Sequence, residues 1–215
     1  MAGSEYDPLF AEPLAAAEDD LEPVRERFRA ASRPFLRSPL PWLAWAIVLP
    51  GVALATPAAA RRGGPAGVLL AWSLAILGGG AVEALAIWRA GGGVAARTPL
   101  AGWVLRIQGN LSLVALALSA LLLWQGLPGA LPGLWLLLLG HSFYVIGSLS
   151  SPALRACGII FQVGGAAALW PGWDPLPVFA ITTGAGALWL ALGILRARAT
   201  ERGNPASTRR PRSLK

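Results

Sequence analysis

Six apolar stretches, nearly free of charge, occupy most of the chain between Pro41 and Arg196, and few folds accept such a pattern. A hydrocarbon slab about 30 Å thick takes roughly 20 helical residues to cross. The stretches at 41–60, 67–88, 100–124, 131–150, 153–171 and 176–196 each read as one crossing. In lipid only helices and closed barrels satisfy their own backbone hydrogen bonds. Runs such as LSLVALALSALLLW at 111–124 lack the alternation of a barrel strand. The expected fold is all-α, a polytopic membrane helix bundle with six transmembrane helices. Pro50 falls midway along the first stretch, where the missing backbone donor predicts a kink.

Composition supports the bilayer as the solvent. Only 13% of the 215 residues are charged and the mean hydropathy is +0.56, whereas soluble domains carry about a quarter charged residues. The organisation expected is an N-terminal cytoplasmic segment over 1–40, a transmembrane domain over 41–196 and a basic, disordered cytoplasmic tail over 197–215. The first 22 residues hold seven acids and no Lys or Arg, so a cleaved signal peptide is not expected.

Orientation follows from the basic residues, which accumulate in short cytoplasmic loops. If the loops alternate, 16 of the 18 Lys and Arg residues fall on one side, leaving Arg61 and Arg62 opposite them. Both termini are therefore expected in the cytoplasm of a cell membrane. The net charge of +7 is then a topological signal, and nucleic-acid binding is not expected. Eight tryptophans, among them Trp42, Trp45, Trp88 and Trp135, lie near the expected span ends, where an amphipathic ring favours the headgroups. Before the first span, Leu21, Val24, Phe28 and Phe35 could form one apolar stripe flanked by Arg25, Arg27 and Arg29. This reads as a short interfacial helix whose basic residues face anionic lipid.

Ionisable groups within lipid are costly, so each one needs a partner or a role. Glu83 near the end of the second span and Arg106 early in the third have matching depths, which predicts an intramembrane ion pair between antiparallel neighbours. A second polar set lies deeper: Asn110, His141, Tyr144, Gln162, Thr182 and Thr183. Two readings stand, helix–helix packing by hydrogen bonds or a proton-linked path centred on the one histidine. No repeat with a period of 20 to 50 residues is evident, nor any likeness between the first and last three spans.

Catalytic constellations are not apparent. GSLSS at 147–151 is not the turn of an intramembrane serine protease, and His141 lies on the same helix as Ser148. One histidine supplies neither a His-Glu-x-x-His metal site nor a bis-histidine haem. The single cysteine, Cys157, excludes an internal disulfide and a thiolate cluster. No metal, cofactor or enzymatic activity is expected.

The last three spans, GLWLLLLGHSFYVIGSLSSPALRACGIIFQVGGAAALWPGWDP followed by FAITTGAGALWLALGILRAR, show a glycine-bearing helix, a Ser-Pro-Ala-Leu-Arg turn, a small-residue helix and a final helix ending in arginines. About a third of the chain thus resembles small uncharacterised multi-span bacterial membrane proteins. That resemblance implies location in the bacterial inner membrane and no particular activity. The expected role is a non-enzymatic scaffold or accessory subunit of a membrane assembly, in contact with lipid and other membrane proteins. The alternative is a small transporter or channel with a polar path near Asn110, His141 and Gln162.

Overall fold

Gly64 decides the shape of the first element. In the computed structural model, which describes residues 21–27, 38–89 and 99–203, helix α1 (Leu40–Arg89) is interrupted by one non-helical residue, Gly64, at φ 57° and ψ −150°. That backbone region is open essentially to glycine alone, and Pro65 then restarts the helix with its φ already set. The element is a hairpin of two antiparallel arms, 40–63 and 65–89. Its contacts prove the reversal: Trp45 Nε1 donates to Glu83 Oε2 at 3.0 Å and Trp72 Nε1 donates to Thr56 Oγ1 at 3.0 Å. In a straight helix Trp45 and Glu83 would stand about 57 Å apart. Pro50 keeps helical dihedrals, so the break falls at Gly64 rather than at the proline where the sequence predicts a kink.

Helix α2 (Pro99–Trp124) ends in a glycine cap. Gly126 takes φ +72°, its N–H donates to the Leu123 carbonyl at 3.1 Å, and the Leu127 N–H reaches back to the Leu122 carbonyl at 2.8 Å. These two bonds satisfy carbonyls that the helix end leaves open. Pro128 then begins a single 3-10 turn, Pro128–Ala130, that leads into α3 (Leu131–Ser150). Between α3 and α4 (Pro152–Ala168) only Ser151 is extended, at φ −151° and ψ 122°, as the following proline requires. The chain closes with α5 (Pro175–Gly203).

Small residues hold the bundle together. Along α3, Gly133, Gly140 and Gly147 are buried and recur every seven residues, facing Gly158 and Gly165 of α4. A β-carbon at Gly140 would lie 2.7 Å from the Gln162 backbone nitrogen, and one at Gly165 would lie 2.8 Å from the Leu137 nitrogen. These helices touch backbone to backbone, the close approach that small residues permit where burial against lipid supplies no driving force. The other face of α4 meets α5: Gly164 receives Thr182, while Gly186 receives Phe161 and lies against Cys157. The first arm of α1 completes the core on α5, with Pro50 against Gly184. Edge-on ring contacts of Trp42 with Phe143 (5.9 Å) and Trp72 with Phe179 (5.7 Å) close the centre.

Among the described residues every regular element is helical. Three stretches are long and apolar enough to cross a membrane, Leu40–Ala86, Pro128–Ser150 and Pro175–Thr200, with shorter apolar helices at Gly109–Trp124 and Pro152–Ala168. The count is three against the six expected. The first stretch runs through the bend at Gly64 and contains both arms of the α1 hairpin, and the 17 residues of α4 span only about 25 Å. Large apolar side chains remain exposed on every helix, as contact with lipid requires.

Candidate functional site

Residues 41–83 and 104–146 carry the same device. In the α1 hairpin, Thr56 Oγ1 donates to the Val52 carbonyl at 2.8 Å and accepts the indole N–H of Trp72 at 3.0 Å. In the α2–α3 hairpin, Ser119 Oγ donates to the Ala115 carbonyl at 2.7 Å and accepts the indole N–H of Trp135 at 3.1 Å. Each indole follows its hydroxyl by 16 residues, and both hairpins share the spacing hydroxyl-x6-Gly-x-Pro-x6-Trp. The two differ at the turn, where the left-handed glycine is the second of the first pair, Gly64, but the leading Gly126 in the other. This strap fully satisfies an indole donor and a hydroxyl that would each be costly to leave bare in hydrocarbon. The search window of 20 to 50 residues missed it because the period is 63.

Glu83 has a different partner from the one its depth predicts. The Trp45 ring lies across Gly79, where a β-carbon would come within 2.5 Å of ring carbons, and its N–H reaches the Glu83 carboxylate one turn on. Arg106 is exposed and forms no ion pair with Glu83. The reason is the packing partner: α2 makes its principal contacts with α3 and the 3-10 turn rather than with the second arm of α1. Neither glutamate depth nor arginine depth could reveal that tryptophan, one helix earlier, was the nearer donor.

The deeper polar set divides rather than converges. Thr183 is fully buried and donates to the Phe179 carbonyl at 2.8 Å, within its own helix. Thr182 is buried against Gly164. By contrast His141, Tyr144 and Asn110 are exposed. His141, Tyr144 and Ser148 share one face of α3, opposite the core-facing Leu136 and beside the seam where Gln162 packs on Gly140. Ser148 Oγ donates to the Tyr144 carbonyl at 2.7 Å, whereas no hydrogen bond within the described residues engages the side chains of His141, Tyr144 or Gln162.

On the N-terminal segment, residues 21–27 are helical, Leu21 and Val24 are exposed, and Arg25 pairs with Glu22 at 3.7 Å. Arg27 is exposed on the same short helix; Arg29, Phe28 and Phe35 lie outside the described residues, as does most of the basic tail. Among the described residues no group of three His, Cys, Asp or Glu side chains could hold a metal ion. No protein-family model, curated protein sequence or solved structure matches this chain.

Proposed function

We propose that this protein is a six-span integral membrane subunit of a larger membrane assembly, non-enzymatic, with both termini in the cytoplasm. The carrying observation is the placement of its polar side chains. Those inside the bundle, Thr182 and Thr183, sit against glycine or bond to their own helix, while His141, Tyr144 and Asn110 face outward. A transport path needs the reverse, polar groups turned towards a shared interior. Outward polar groups at hydrocarbon depth call for a protein neighbour, because lipid tails offer them no hydrogen bonds.

The six crossings are supported by the two antiparallel arms of α1 and by the antiparallel order of the glycine contacts between α3 and α4. Exposed Arg89, Arg155, Arg196 and Arg198 belong to one end of the bundle under this topology, and Arg61 and Arg62 to the other, in keeping with the bias of basic loops towards the cytoplasm. Reconstitution of the protein alone in liposomes tests the reading. Neither proton nor solute flux above that of empty vesicles is expected; robust flux would replace this reading with the transporter alternative.

A further inference from the structure

The geometry points to a second copy of this chain as the occupant of the outward polar stripe on α3 and α4. This inference rests on the assembly reading above and names the neighbour.

His141 is the eleventh of the 20 residues of α3, so it sits near the middle of the crossing, where an imidazole facing lipid is at its most costly. It is exposed, and Tyr144, Val145 and Ser148 continue the same face towards the Ser151 end. Gln162 lies beside it across the seam: a β-carbon at Gly140 would meet both its backbone nitrogen (2.7 Å) and its Cγ (2.9 Å). On α4 the neighbouring outward positions are apolar, Ile159 and Val163, at 46% and 65% exposure. The face is thus a short polar ladder set in an apolar surround, covered by nothing in the chain itself.

The chemistry of the ladder selects the occupant. Two copies of a membrane protein with one orientation are related by an axis along the bilayer normal, so each residue meets groups at its own depth. A self-pairing face must therefore supply donors and acceptors at the same level. Neutral His, Tyr, Ser and Gln each do both, and they carry no like charges that would repel across the axis. The one charged outward group, Arg155, lies a turn into α4 near the chain reversal at Ser151, at the level of the headgroups rather than of the ladder. A foreign helix offering only donors or only acceptors would leave part of the ladder unsatisfied, whereas a copy of itself leaves none by composition.

Disulfide trapping in native membranes tests this. The wild-type chain is the background control, because its lone Cys157 is buried. Val145→Cys, at an exposed position of the ladder, is expected to form a disulfide-linked dimer under mild oxidation. Ile76→Cys, similarly exposed at mid-depth on the second arm of α1, is expected not to. In liposomes at graded protein-to-lipid ratio, single-molecule photobleaching should show His141→Leu weakening self-association roughly tenfold, with His141→Gln retaining it. If Val145→Cys is captured by a different protein, self-pairing is overturned and the assembly reading stands. If it gives no adduct faster than Ile76→Cys, both fall.

Discussion

Gly140 and Gly51 are both helical glycines, yet they make opposite predictions. A β-carbon at Gly140 would press on the backbone of α4 at 2.7 Å, and backbone cannot swing aside as a flexible side chain can. Gly140→Val should therefore lower stability by about 1–3 kcal/mol, the usual cost of overpacking, read as a drop in the midpoint of unfolding in mixed micelles. Gly51 has nothing within 4 Å of a β-carbon, so Gly51→Ala should be neutral or stabilising by up to about 1 kcal/mol, the helix preference of alanine. At Glu83 the decisive residue is Trp45. Trp45→Phe keeps the ring over Gly79 but removes the donor from a half-buried carboxylate, and should cost about 1–3 kcal/mol. Glu83→Gln retains an acceptor for the indole and should cost less; a larger loss for Glu83→Gln than for Trp45→Phe would mean that the carboxylate has another partner. The sequence marked Glu83 as a group in need of company, because its charge inside an apolar run is visible. It could not identify the indole, since a tryptophan near a span end reads equally well as an interfacial anchor.

Two hairpins with one internal strap set the register of the elements. Trp72→Phe with Thr56→Val, and Trp135→Phe with Ser119→Ala, form two double-mutant cycles. Interhelical hydrogen bonds in membrane bundles average about 0.6 kcal/mol, and the like geometry at 3.0 and 3.1 Å predicts coupling of that order at both straps, equal within a few tenths. Coupling at one strap and none at the other would contradict their equivalence. The helices themselves were legible from apolar run lengths, and the α3–α4 and α4–α5 reversals from Ser-Pro and from the Pro- and Gly-rich segment 171–175. Gly64 was legible only as part of a turn. That Pro50 keeps its helix while Gly64 breaks it follows from tertiary packing on Gly184, a contact more than 130 positions away in sequence that no local pattern encodes.

For the whole molecule, the bilayer was readable from composition and the direction of the chain from its arginines. A reporter active only in the cytoplasm, fused to either terminus, should be active; the same reporter inserted between Arg62 and Gly63 should be silent. The reverse pattern would overturn the orientation, and a mixed one the even number of crossings. The grouping of polar residues was not legible. Asn110, His141, Gln162 and Thr183 lie at similar depths, and depth alone cannot tell an inward side chain from an outward one. Helix rotation decides that, and rotation is set by the glycine seam of α3 on α4, which commits Gly133, Gly140 and Gly147 inward and turns His141 out. The account as a whole holds that this outward face is occupied by protein. Its most direct test is the mass of the particle extracted from native membranes with its surrounding lipid, measured by native mass spectrometry. The account predicts a protein mass above that of one 22.4 kDa chain, and a homogeneous population of single chains would contradict it.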